Sequence, residues 1–198
     1  MIILASQSSL RTKIMELSGI PFRTESPDVD ERSIEAKYPQ KNEMEIVTLL
    51  AAAKAEAVSK IFPNDIIIAA DTFGTLPNGQ RLHKAGSFEE SIQLSLQQSG
   101  KTVTVNTGTA VALNGKILTD TTTTMITYSH FNENTARALF ELNKNTNRRN
   151  AALGFFIDAP GFTLVESISG SYMGALGLPL DVVRKRLNEF GYEPTHGY

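Results

Sequence analysis

The sequence predicts an α/β fold, and three observations carry that expectation. Short apolar runs of strand character, Ile2 to Ala5 and Asp65 to Ala70, alternate with segments of helical periodicity such as Glu43 to Ile61. Two long β-favouring runs, Thr102 to Leu113 and Ile117 to Tyr128, are separated by Asn114-Gly115, the strongest short hairpin signal. The chain of 198 residues is 41% hydrophobic and 20% charged, a balance that suits one compact domain spanning 1–198 with a core of its own.

Each element follows from local pattern. Ile2 to Ala5 reads as a buried strand, and Ser6 to Ser9 then supply N-cap hydroxyls for a helix ending near Leu17, where Gly19 closes it. Phe22 to Ser26 reads as a second short strand, and Pro27 to Glu31 as an acidic loop. From Glu43 to Ile61, apolar residues at three- and four-residue spacing in an alanine-rich background predict the longest helix. Asp65 to Ala70 is a strand of the kind covered on both faces, delivering Asp71 and Thr72 at its C-terminal end. After the turn Pro77-Asn78-Gly79, a helix is expected from Ser87 to Gln97, then the hairpin, then a helix from Asn132 to Leu142. Asn143 to Asn150 is read as a loop, Phe162 to Ser169 as the last strand, Ser167 to Gly177 as a hinge or loop, and Pro179 to Phe190 as the closing helix.

Composition removes several function classes. Without cysteine there is no disulfide framework, zinc-thiolate site or thiol nucleophile. A net charge of −2 argues against a broad surface for duplex nucleic acid, so any anion site must be local. Met1 to Ser8 has no basic region and too short an apolar stretch for a secretion signal, and no window approaches a bilayer span, so the expected compartment is the cytoplasm. The histidines at 83, 130 and 196 are too scattered for a helical metal pair, and neither GxGxxG nor GxxxxGK[ST] is present.

Four stretches carry chemistry. Ser6 and Ser8 open a helix that carries Arg11 and Lys13, which suits a local anion site and equally suits plain capping. Asp71-Thr72, after a buried strand, sits where ligands gather in open sheets, though an aspartate there also serves as a turn or cap residue. Asp28, Asp30 and Glu31 offer the hard oxygen donors that divalent cations prefer, and are otherwise a solvated loop. Lys54 and Lys84 are cations that would matter only beside a site.

Taken together, these stretches resemble the Maf family of septum-formation-inhibitor-like nucleotide pyrophosphatases. Leu4-Ala5-Ser6-Gln7-Ser8-Ser9-Leu10-Arg11 resembles the family's LASxSPRR, and Asp30-Glu31 its DE. Ala51 to Val58 is similar to AxxKAxAV, Ala70-Asp71-Thr72 to ADT, and Leu82-His83-Lys84 stands where the family has LGK. Ser99-Gly100 with Thr107-Gly108 resembles LSG followed by TG, and Gly177-Leu178-Pro179-Leu180 resembles GLPL.

The resemblance implies a two-lobed α/β fold, a mixed twisted sheet flanked by helices around a central cleft, and frequent homodimers. It implies a metal-dependent house-cleaning hydrolase that splits a nucleoside triphosphate, standard or modified, into monophosphate and pyrophosphate with Mg²⁺ or Mn²⁺. By position it makes Asp71, Glu31, Lys54 and Lys84 catalytic, with Glu31 and Asp71 holding the metal. Ser6, Ser8, Arg11, Thr72 and Asp158 would then contact substrate. The chain departs from the family at Ser9, Leu10, His83, Ala85 and Val103, and through Asn150 to Ala159, where the family's acid, lysine and glutamine are Asn150, Ala151 and Asp158. These changes make the site more negative and should weaken a bare triphosphate, unless Lys13, Arg148 or Arg149 compensates. The alternative is a catalytically silent Maf-like protein that binds a nucleotide or a partner.

Overall fold

A computed structural model of the chain describes residues 1–142 and 159–193. In order they form β1 (Ile2–Ala5), α1 (Ser9–Leu17), β2 (Arg23–Glu25), α2 (Glu31–Lys37), α3 (Glu43–Ile61), β3 (Ile66–Thr75), α4 (Phe88–Leu96), β4 (Thr102–Leu113), β5 (Lys116–Tyr128), α5 (Glu133–Leu142), a 3-10 turn (Ala159–Leu164), β6 (Val165–Ser169), α6 (Tyr172–Ala175) and α7 (Leu180–Glu189). The strands make one mixed sheet in the order β2-β1-β3-β4-β5-β6. β1 is parallel to both β2 and β3, with Ile3 opposite Arg23 and Ile67, whereas β5 and β6 are antiparallel. The α/β class expected from the sequence is the one observed.

The chain divides into two compact units. The first holds Met1–Thr72, Asn106–Thr122 and Tyr172–Tyr198, and the second Phe73–Val105 and Thr123–Ser171. In the first, strand periodicity sorts the apolar residues onto two faces. Ile2 and Leu4 of β1, with Ile68 and Ala70 of β3, pack beneath Ile14 and Met15 of α1 and Val183 and Leu187 of α7. Their sequence neighbours Ile3, Ala5, Ile67 and Ala69 face the other way, against Ala51, Ala55 and Val58 of α3 and Ala110 and Ala112 of β4. Both faces are covered, which is why these strands read as unbroken apolar runs.

The alanines on the second face explain the composition of α3. Small residues on helix and sheet let the two backbones close together, and at Gly108 an added Cβ would run into the carbonyl of Val47. In the second unit, Ile92 and Leu94 of α4, Val103 and Val105, Ile126 and Tyr128, and Ala136 of α5 are buried. Phe88 meets Phe140 edge to face, with ring centres 6.2 Å apart.

Four expectations are corrected. Glu31 does not end a loop but begins α2, because Asp30 caps it, its carboxylate accepting from the Ser33 N–H at 3.0 Å and the Ser33 hydroxyl at 2.6 Å. Asp71 and Thr72 lie inside β3 rather than after it, since the β-favouring Thr72, Phe73 and Thr75 carry the strand on and Leu82 N–H bonds Gly74 C=O at 2.7 Å. The last strand begins at Val165, because Pro160 and Gly161 set a 3-10 turn through Leu164. The hinge or loop read from Ser167 to Gly177 instead contains the end of β6 and α6. The polar stretch Asn143 to Asn150 lies outside the described residues, as do Arg148 and Arg149 within it.

Other boundaries agree with the sequence within a residue or two. Asn114 (φ 50) and Gly115 (φ 78) both take positive φ, the conformation a two-residue hairpin turn requires. Ser87 caps α4 and Asn132 caps α5, each accepting from a backbone N–H three residues on. α3 spans the residues its periodicity indicates and starts with a capping box between Asn42 and Glu45.

Candidate active site

Three elements of the first unit bring charge together. Lys54 projects from α3, Asp71 from β3, and Glu31 from the first turn of α2. The Lys54 ammonium lies 2.7 Å from Glu31 Oε1 and also ion-pairs with Asp71 Oδ1. The side chains of Lys54 and Asp71 are each 8% exposed, against 48% for Glu31, so the cluster is buried at one end and wet at the other. Residues separated by 17 and 23 positions from Lys54 thus converge on a single ammonium.

Asp71 is only half used. Its Oδ2 is buried and has no hydrogen-bond partner among the described residues. A carboxylate oxygen left so costs free energy unless something charged or protic meets it, so this atom is suited to contact a cation or a donor. Beside it stands Arg11, whose Nε donates to Gly177 C=O at 2.8 Å and whose Nη2 donates to Thr72 Oγ1 at 3.1 Å. Burial pushes the guanidinium below the usual arginine range, and the charges of Asp71 and Glu31 oppose that shift. Arginine remains protonated throughout, so the site holds a cation whose hydrogen-bond partners are neutral oxygens.

The oxygens behind Arg11 form a chain. Thr72 Oγ1 is 3.0 Å from Thr107 Oγ1, which donates to Gly174 C=O at 2.8 Å. Gly177 takes φ 103, and a Cβ there would sit 3.2 Å from Thr72 Oγ1 and 3.4 Å from Arg11 Nε, so both conformation and space call for glycine.

Ser6 and Ser8 serve the helix start. Ser6 Oγ accepts from the Ser8 N–H at 3.1 Å, and Ser8 Oγ from the Arg11 N–H at 3.4 Å. Capping is thus one role they have, and it fixes the turn from which Arg11 projects. Leu10, where the resembled family has an arginine, is partly buried against the apolar cluster beneath α1, and Lys13 is exposed.

Of the residues singled out from sequence, the structure brings Arg11, Glu31, Lys54, Asp71 and Thr72 together. Asp30 caps α2 rather than joining them. Lys84 is an exposed residue of the second unit, in a segment where His83 Nε2 lies 2.9 Å from Glu90 Oε1. Asp158 and Ala151 lie outside the described residues. Thr107 and Gly177 were legible as fragments of motifs, but nothing in their spacing reveals that they back Arg11.

The donor set suits a hard divalent cation. Among the described residues no three His, Cys, Asp or Glu side chains group as a ready-made metal cage. Mg²⁺, however, is usually held by one or two carboxylates, with water and substrate phosphates completing its shell. The orphaned Asp71 Oδ2 and the half-exposed Glu31 meet that description. Two carboxylates with two cations beside them can hold a phosphate chain, neutralise its charge and orient a water molecule.

Comparison with known proteins agrees with this chemistry. The family model described as Maf-like protein matches residues 1–190. The chain is 32% identical over 190 residues to a nucleoside triphosphate pyrophosphatase of Corynebacterium efficiens, covering 96% of this chain and 94% of that protein. It is 33% identical over 193 residues to a dTTP/UTP pyrophosphatase of Exiguobacterium sibiricum (98% and 94%), and 30% identical over 195 residues to a dTTP/UTP pyrophosphatase of Bacillus cereus strain Q1 (98% and 98%).

Proposed function

The chain belongs to the Maf family, and from that premise we propose that it is a metal-dependent nucleoside triphosphate pyrophosphatase, releasing a nucleoside monophosphate and pyrophosphate. The observation that carries this reading is the Lys54 ammonium set between Glu31 and Asp71, with Asp71 Oδ2 buried and unpartnered among the described residues. Relatives named for dTTP and UTP make pyrimidine triphosphates the first substrates to try.

In this mechanism water attacks the α-phosphorus and pyrophosphate leaves in line, so the negative charge is spread over phosphate oxygens. Arg11, held by Gly177 and Thr72, and Lys54 neutralise that charge, and Lys84 is assigned the same role. Ser6, Ser8 and Thr72 are assigned to the phosphates, and Asp158, which lies outside the described residues, to contact with the substrate. Asp71 Oδ2, which has no hydrogen-bond partner among the described residues, is assigned to the metal and through it to orienting the attacking water, whose proton passes to solvent. Glu31 and Asp71 would hold Mg²⁺ or Mn²⁺, which when bound supplies further neutralisation of the phosphate oxygens. No helix among the described residues is long and apolar enough to cross a membrane. The proposal includes a cytoplasmic home, where such substrates occur, and a homodimer, read by its mass in solution.

The test is pyrophosphate release from dTTP, UTP and a panel of modified triphosphates with Mg²⁺ or Mn²⁺. Asp71→Asn keeps the shape but weakens metal binding and the hold on the attacking water, and kcat should fall by about 10²–10⁴-fold. An undiminished variant would overturn the assignment of Asp71. Absence of turnover on the whole panel, with nucleotide still bound, would establish the silent binding protein instead.

A further inference from the structure

Among the described residues the hydrogen bonds of the Arg11 guanidinium go to the Gly177 carbonyl and to a line of hydroxyls, and the protons on that line can be assigned. Thr107 Oγ1 has one hydrogen, and it is given to Gly174 C=O at 2.8 Å. At the 3.0 Å contact between the two threonines, Thr107 must therefore accept and Thr72 must donate. Thr72 has then spent its only hydrogen, so towards Arg11 its oxygen presents lone pairs alone, and it accepts from Nη2 at 3.1 Å. The direction is fixed along the whole series: guanidinium, Thr72, Thr107, backbone carbonyl. Thr107 is 0% exposed and Thr72 8%, so water cannot readily replace either link.

We propose that Thr107 is a positioning residue for phosphate recognition: by polarising Thr72 towards acceptance it locks the Arg11 guanidinium in the orientation that meets the substrate. The proposal rests on the reading of Arg11 as a phosphate ligand. Without the Thr107 hydroxyl, Thr72 has no acceptor for its hydrogen on that side. Its O–H then turns to other acceptors, including the side facing Arg11, where two donors would confront each other. The Nε bond to Gly177 C=O remains, so the arginine stays near its place but is free to rotate its outer nitrogens. Substrate affinity should respond more than the chemical step, because the hydroxyls do not touch the reacting atoms.

The experiment measures binding of α,β-imido-UTP and steady-state turnover of UTP for wild type, Thr107→Val, Thr107→Ser, Arg11→Ala and the double variant Arg11→Ala with Thr107→Val. Thr107→Val should weaken binding and raise KM by about tenfold, the scale of one aligned hydrogen bond, with kcat changed much less. Thr107→Ser, which keeps the hydroxyl, should stay within about twofold of wild type on the same scale. In the Arg11→Ala background the valine substitution should have no further effect, since the residue it acts through is gone. Additive losses in the double variant, or a serine variant as poor as the valine one, would show a merely structural role and overturn the proposal. If Arg11→Ala binds the nucleotide as tightly as wild type, the phosphate assignment of Arg11 itself fails. That outcome is distinct from one in which Arg11→Ala is weak and Thr107→Val is not, which sinks only the role of Thr107. Should Thr107→Val prove too unstable to assay, Thr107→Ala removes the same hydroxyl and is judged by the same coupling with Arg11→Ala.

Discussion

Lys54 shows how much one side chain can organise. It is an ordinary lysine on an alanine-rich helix by sequence, yet it is buried and bridges two carboxylates from different elements. Removing one partner of a buried ion pair usually costs about 3–5 kcal/mol, because the remaining charge stays desolvated. Glu31 is half-exposed and tempers that cost, so Lys54→Met should lose about 2–4 kcal/mol in a denaturant titration. The same variant leaves two acids facing each other without a cation. Mg²⁺ should therefore raise its melting temperature more than it raises that of wild type; equal shifts would argue that Glu31 and Asp71 do not hold the metal. Sequence alone named all three residues through motif order, because the carboxylates and the lysine each sit in a recognisable stretch. It could not reveal that the ammonium lies between the acids, or that Asp71 keeps one oxygen unpaired, since both depend on how α2, α3 and β3 pack.

Elements were legible where local chemistry and tertiary demand agree. The hairpin turn, the caps of α1, α4 and α5, and the whole of α3 follow from residues within a few positions of one another. Errors arose where a residue type has two readings. Asp30 looked like part of an acidic loop and is a helix cap, and Asp71 looked like a strand terminus and is interior to β3. The close approach of α3 to β4 has a sharper consequence. Gly108 has ordinary backbone space but no side-chain space, with the Val47 carbonyl and the Thr48 nitrogen in the way. Because those are backbone atoms of a helix, they cannot swing aside. Gly108→Ala should destabilise the protein by about 2–3 kcal/mol or more through overpacking. For a protein of this size the melting temperature would drop by about 2–4 °C per kcal/mol. An unchanged melting curve would mean that α3 can retreat without loss.

At the scale of the whole molecule, the proposed ligand should be visible as stability. A species that binds only the folded form at a hundred times its dissociation constant adds about 2.7 kcal/mol. α,β-imido-UTP with Mg²⁺ should accordingly raise the melting temperature by about 5–10 °C, and neither component alone should match the pair. No shift under saturating conditions would argue against nucleotide binding altogether. The general class was open to inspection of the sequence because alternating apolar runs and helical stretches extend over nearly the full length. Two lobes were expected only through the family resemblance, and which stretches form each unit was not legible, since each is assembled from separated stretches whose association depends on long-range contacts.

That assembly dictates when the protein can begin to work. Arg11 is held by a carbonyl from Gly177, 166 positions further along the chain, and Val183 and Leu187 complete the apolar face under α1. Until α7 packs, the apolar residues of β1 and α1 that it covers remain open to water. Truncation before Gly177 should therefore remove one hold on Arg11 and part of the apolar cluster under α1, leaving a protein prone to proteolysis.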